Sequence, residues 1–133
     1  MTYALDTNMI IHLVRGTPTV CTRFDSETLN GTRIAIPPYV NFEVLRGFRY
    51  VPAPAKERAY GQLLMLCDVG EMTTPAWEKA ASIYGELRKR GFTVDDADLL
   101  IAAFCVVNGH TLVTANTKHF KDITGLSLED WTV

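Results

Sequence analysis

Short apolar runs recur along the chain between polar turn signals, and their lengths alternate between strand-sized and helix-sized. Tyr3-Ala4-Leu5 predicts a strand ending at Asp6-Thr7-Asn8, after which Met9, Ile10, Ile11, Leu13 and Val14 follow at helical spacing until Arg15-Gly16-Thr17-Pro18 stops them. Val20 to Leu29 reads as a second helix closed by Asn30-Gly31, and Arg33-Ile34-Ala35-Ile36 before Pro37-Pro38 reads as a buried strand. Tyr39 to Tyr50 and Ala53 to Leu66 are helical in pattern, joined by a bend at Pro52-Ala53-Pro54, and Cys67-Asp68-Val69 is a short strand. A long helix follows from Ala76 to Arg90, with Trp77, Ala80, Ala81, Tyr84 and Leu87 on one face and Gly91 at its end. Residues 96–107 form an almost wholly apolar helix that stops at Asn108-Gly109. Thr111 to Thr114 is β-rich and leads into the polar loop Ala115-Asn116-Thr117-Lys118, and Leu126-Ser127-Leu128 supplies a last edge strand.

The strands are short continuous apolar runs rather than alternating ones, as expected where helices cover both faces of a parallel sheet. The pattern therefore predicts an α/β fold: a single-domain three-layer α/β/α sandwich over residues 1–133 with a mostly parallel central sheet. Composition agrees, since 133 residues with 47% hydrophobic and 21% charged content suit one globular domain and oppose disorder. The longest apolar runs fall short of the roughly 18 residues a membrane span needs. The start has neither a basic region nor a long apolar one, so a cytoplasmic location is expected. Cys21, Cys67 and Cys105 are odd in number and widely spaced, which reads as reduced thiols and excludes a paired-cysteine zinc site.

Charge complicates this picture. The formal net charge of −2 lacks the basic excess usual in dedicated nucleic-acid binders. The acids are unevenly spread, however, and Asp95, Asp96 and Asp98 fall within four positions. Sites in open parallel sheets form beyond the C-terminal ends of the strands. Asp6 closes the first strand, Glu43 lies one turn into the helix after the second, Asp98 opens the apolar helix, and Asn116 follows the strand at 111–114. On this topology three carboxylates and a carboxamide converge from distant segments. Three ionised groups about 5 Å apart at an effective dielectric near 20 would repel by on the order of 10 kcal/mol, a cost that a divalent cation removes. Oxygen-only ligands favour a hard ion, Mg²⁺ or Mn²⁺, over zinc.

Each residue also has a structural reading. Asp6 is placed to cap the helix that follows, Glu43 to pair with Arg46 at i,i+3, Asp95 or Asp96 to serve as an N-cap, and Asp98 to gain from the helix dipole.

Four segments carry a family resemblance: Leu5-Asp6-Thr7-Asn8; Phe42-Glu43-Val44-Leu45-Arg46-Gly47; Asp98-Leu99-Leu100-Ile101-Ala102-Ala103; and Leu112-Val113-Thr114-Ala115-Asn116-Thr117-Lys118-His119-Phe120. In order and spacing they resemble the motifs of the PIN domain. The length and the ending Gly125-Leu126-Ser127-Leu128-Glu129-Asp130-Trp131 are similar to VapC toxins of bacterial toxin–antitoxin pairs. The resemblance implies a metal-dependent endoribonuclease, restrained by a cognate VapB antitoxin and assembled as a homodimer. It implies that Asp6, Glu43 and Asp98 are the principal acids and metal ligands. Asn116 stands where many members carry a fourth Asp, which puts a second metal in doubt. Thr7, Asn8 and Thr114 match polar positions that brace the pocket, and Asp95 and Asp96 are second-tier candidates.

The expected chemistry is hydrolysis of RNA, whether transfer, ribosomal or messenger, with activated water attacking phosphorus in line to leave 5′-phosphate and 3′-hydroxyl ends. His12, His110 and His119 form no evident acid–base pair; His119 follows the Asn116 loop, where it has either a structural role or, as the second choice, a contact with substrate. An acidic pocket needs cations nearby to attract a phosphate backbone, and Arg46, Arg49, Arg88, Lys89 and Arg90 are the candidates. Phe42, Phe48, Tyr50 and Tyr60 are either aromatic surface for protein contacts or part of the core, which sequence does not separate. Two other classes compete: a catalytically silent PIN fold that only binds RNA or protein, and a receiver-like phosphoacceptor using Asp6, Asp68 and Lys118.

Overall fold

A computed structural model describes residues 2–133. Its strands are β1 (Thr2–Leu5), β2 (Arg33–Ile36), β3 (Asp68–Val69), β4 (Thr111–Val113) and β5 (Ser127–Glu129), which form one sheet in the order β3-β2-β1-β4-β5. Every pairing is parallel, so the sheet is parallel throughout. Seven helices lie between the strands: α1 (Thr7–Arg15), α2 (Pro18–Leu29), α3 (Pro38–Tyr50), α4 (Pro54–Leu64), α5 (Thr74–Lys89), α6 (Asp96–Asn108) and α7 (Thr117–Phe120).

The chain steps outward from β1 to β2 to β3, then returns to the other side of β1 for β4 and β5. Right-handed crossovers in opposite directions place helices on both faces of the sheet, which is the sandwich the sequence predicts. The reversal leaves a crevice at the C-terminal ends of β1 and β4, the usual ligand position in such sheets. Burial follows the same logic. Tyr3, Ala4 and Leu5 of β1, Ile34, Ala35 and Ile36 of β2, and Leu112 and Val113 of β4 are all buried, while the edge strand β3 is exposed.

Helix α6 supplies Leu99 and the unbroken buried run Ile101 to Cys105. Gly109 ends it at φ +68, a left-handed position that favours glycine. Gly70 extends β3 by donating to the Ile36 carbonyl, and a Cβ there would overlap the Phe104 ring of α6. No helix among the described residues is long and apolar enough to cross a membrane. All three cysteines are free, Cys105 is fully buried, and burial pushes the Cys67 thiol up to about 12.

Three expectations need correction. The polar stretch after β4 contains a one-turn helix, α7, with Asn116 at its N-cap position. The inner face of α5 is Ala76, Ala80, Ile83 and Leu87, whereas Trp77 and Tyr84 point to solvent and small residues let α5 pack closely on α6. Tyr60 is buried rather than available for contacts, because its hydroxyl finds a partner in Asn41 Oδ1 at 2.8 Å.

Candidate active site

Asp6 sits where β1 becomes α1. Its backbone N–H donates to the Val113 carbonyl of β4 at 3.0 Å, and its carbonyl accepts from Met9 and Ile10 in the first turn of α1. The side chain caps the helix by accepting from the Thr7 N–H at 2.7 Å. The other carboxylate oxygen accepts from the Thr114 hydroxyl at 2.8 Å and from Asn8 Nδ2 at 3.2 Å. Asp6 is therefore buried, yet satisfied by three donors.

Thr114 is completely buried just beyond β4. Its oxygen also accepts from the Asn116 N–H at 3.0 Å and from Asn8 Nδ2 at 3.3 Å. Asn8 ties the crevice together by accepting the Ala115 N–H at 3.0 Å. Six residues, Asp6 to Asn8 and Thr114 to Asn116, thus form one network across the topological switch.

Glu43 reaches the same region from α3. Thr7 Oγ1 donates to its Oε1 at 2.8 Å, and Arg46 approaches Oε2 at 3.6 Å. The i,i+3 pair expected from spacing is present alongside the link to α1. Asp98, in the first turn of α6, accepts no side-chain hydrogen bond among the described residues, and the His119 ring approaches its Oδ2 with Nδ1 at 3.7 Å. Its pKa is raised by partial burial first, then by the charge of Asp6; His119 opposes the shift, and Asp95 and Glu43 add to it. Asp6, Glu43, Asp95 and Asp98 therefore act within one electrostatic field.

These groups suit a hard divalent ion in donor chemistry, being carboxylate oxygens whose mutual repulsion is already felt at Asp98. Among the described residues no three acidic, His or Cys side chains stand together in coordinating geometry, so the arrangement is an open acidic crevice rather than a closed cage. Asn116 is exposed at the mouth, its side chain making no capping bond. Asp95 takes the N-cap position of α6 without a side-chain bond, and Asp96 lies beside it in the first turn.

Of the five candidate cations, Arg49 approaches Glu57 at 3.8 Å and Arg46 is held by Glu43. Arg90 is committed to the Asp122 carbonyl at 3.0 Å and to Glu86 at 3.7 Å. Arg88 and Lys89 make no ion pair among the described residues. Sequence reasoning gave no sign that Thr7 would hold Glu43, or that Phe92 and Val94 would line a hollow next to Asp98. Only a register linking residues tens of positions apart reveals either.

Comparison with known proteins extends this geometry. Residues 3–126 match the PIN domain family. Ribonuclease VapC2 of Rickettsia felis is 31% identical over 98% of both chains, and the tRNA(fMet)-specific endonuclease VapC of Salmonella typhimurium is 29% identical over 97% of both. Among solved structures, VapBC2 from Rickettsia felis, bound to a DNA fragment from its promoter, superposes with a TM-score of 0.91 at 26% identity, covering 98% of this chain and 99% of that one. With Asp6 and Asp98 entering one crevice of a parallel sheet and likeness running over nearly the whole length, the chain belongs to the PIN domain family and, within it, to the VapC ribonucleases.

Proposed function

We propose that this chain is the toxin of a type II toxin–antitoxin pair: a divalent-metal-dependent endoribonuclease that hydrolyses RNA phosphodiester bonds and is neutralised by a VapB-type antitoxin. The observation that supports this reading is that Asp98 feels the charges of Asp6 and Glu43, which come from distant segments of the chain, at the end of the sheet where the strand order reverses. Relatives named as ribonucleases and a structural neighbour that is a VapBC complex support it.

Asp6, Glu43 and Asp98 would hold Mg²⁺ or Mn²⁺, with waters completing the shell as is usual for these ions. When bound, such an ion supplies Lewis acidity at the phosphate and makes water a competent nucleophile near neutral pH. The protein contributes orientation. Thr7, Asn8 and Thr114 fix the rotamers of Asp6 and Glu43, and Asn116 presents an amide at the mouth, where a substrate phosphate or ribose passes. Arg88 and Lys89, free of ion pairs, are the cations that attract the RNA backbone, and two copies of the chain assemble as a homodimer.

End-labelled transfer RNA and single-stranded RNA incubated with the purified protein test this reading. Cleavage is expected in Mg²⁺ or Mn²⁺, absent in chelator and absent in Asp6→Asn, with 5′-phosphate and 3′-hydroxyl ends. Ends carrying 2′,3′-cyclic phosphate would overturn the mechanism. RNA binding without cleavage under every metal condition would favour the silent binding fold instead.

A further inference from the structure

A second hollow, about 350 Å³ in volume, opens directly beside Asp98. It lies between the segment joining α5 to α6 and the α7 turn. Its floor is a small apolar patch of buried Leu87 and Ile123 with half-buried Val94, and the rest of its lining is mostly polar. Asp95, Lys118 and His119 stand exposed around the opening. Phe92, 40% exposed as a residue, is part of the lining, and the Arg90 guanidinium, which does not line the hollow, covers one face of its ring at 5.1 Å from the centroid. Arg90 also bonds the Asp122 carbonyl, so one side chain clasps both walls. The hollow adjoins the crevice through the His119–Asp98 approach.

Protein pockets for small groups run from roughly 300 to 1,000 Å³, so this one has room for a single ring system and not for a helix or a strand. A phosphate would leave the exposed Phe92 side chain unused, whereas a nucleobase presents both a flat face for Phe92 and a polar edge for the polar groups that make up most of the lining. An aromatic face with apolar surroundings receives an unstacked base, and a rim holding both donors and acceptors reads its edge. We infer that this hollow is a base-recognition subsite: it takes one splayed nucleobase of single-stranded RNA next to the bond cut at the carboxylates, with Phe92 as the stacking face and Asp95, Lys118 and His119 as the edge readers. The inference rests on the ribonuclease reading, but its test does not depend on cleavage.

Short labelled single-stranded RNAs carrying one abasic ribose at successive positions are bound to the native protein in chelator and followed by fluorescence anisotropy. One abasic position is expected to weaken binding about tenfold, the usual worth of one stacked base. Phe92→Ala is expected to lose the same factor on intact RNA and nothing more on that abasic RNA, while Phe92→Trp retains native affinity. His119→Ala, an exposed change that spares the core, is expected to show the same lack of additivity. Losses that simply multiply, equal binding of all abasic RNAs, or no RNA binding overturn the subsite. Cleavage in Mg²⁺ is measured separately: cleavage without coupling removes the subsite and leaves the ribonuclease, and coupling without cleavage does the reverse.

Discussion

Asp6 and Asp98 contribute to one electrostatic field from opposite walls of the crevice, and the protein treats them differently. Asp6 is buried and satisfied by Thr7, Asn8 and Thr114, so its charge is built into the fold. Asp98 accepts no side-chain hydrogen bond among the described residues, keeps about a fifth of its side-chain surface exposed, and feels three other carboxylates. One wall is finished without a ligand and the other is left wanting one. The difference separates residues that would cost stability from residues that would cost only function.

Removing either carboxylate gives the sharpest test. Asp6→Asn and Asp98→Asn are each expected to lower RNA cleavage by at least about a hundredfold, measured on labelled RNA in Mg²⁺. Their melting temperatures in chelator should diverge, with Asp6→Asn falling and Asp98→Asn rising by a few degrees at neutral pH. The sign follows from the raised pKa of Asp98. Below the unfolded-state value both states are protonated and the carboxyl contributes nothing. As pH rises through the elevated folded value, the native state holds a disfavoured charge. The advantage of Asp98→Asn should therefore be absent near pH 3 and grow toward pH 7; a gap that shrinks with rising pH would contradict it.

Thr114→Val removes the hydroxyl on which Asp6, Asn8 and the Asn116 N–H converge. Leaving the buried Asp6 carboxylate without one of its donors and the half-buried Asn8 amide without an acceptor should cost about 1–3 kcal/mol in urea unfolding. Thr7→Val is milder, because Glu43 is half-buried and keeps Arg46 nearby. Stability should stay within about 0.5 kcal/mol of native. Cleavage should fall about tenfold, the lower end for losing a residue that orients a metal ligand. The smallest effect concerns the cations: Arg88→Ala with Lys89→Ala should lower the salt slope of RNA binding by about two phosphate contacts, whereas Arg90→Ala should mainly loosen the Asp122 turn.

The succession of strands and helices was legible because each central strand is a short apolar run closed by an unmistakable turn signal, as Ile34-Ala35-Ile36 is by Pro37-Pro38. Positions at strand ends were legible for the same reason, so Asp6 and Asn116 could be put at one sheet edge before any coordinates. A four-residue helix has too little periodicity to announce itself, which hid α7. Large residues dominate the apolar pattern of α5, yet close contact with α6 buries Ala76 and Ala80 and leaves Trp77 about half exposed at the edge of the contact. The hydrogen bonds joining Thr7 to Glu43 and Asn8 to Ala115 depend on register across the sheet, and no local pattern encodes them.

The order of the strands has a consequence for synthesis. β1 is made first but lies at the centre, and its neighbour β4 emerges only at residues 111–113. A ribosome-bound chain that stops short of Thr114 holds Asp6, Glu43 and Asp98 yet lacks the strand and hydroxyl that lock the first of them in place. Such long-range parallel pairing is intrinsically late to form. Residues up to Thr114 must therefore leave the ribosome before the crevice closes around Asp6.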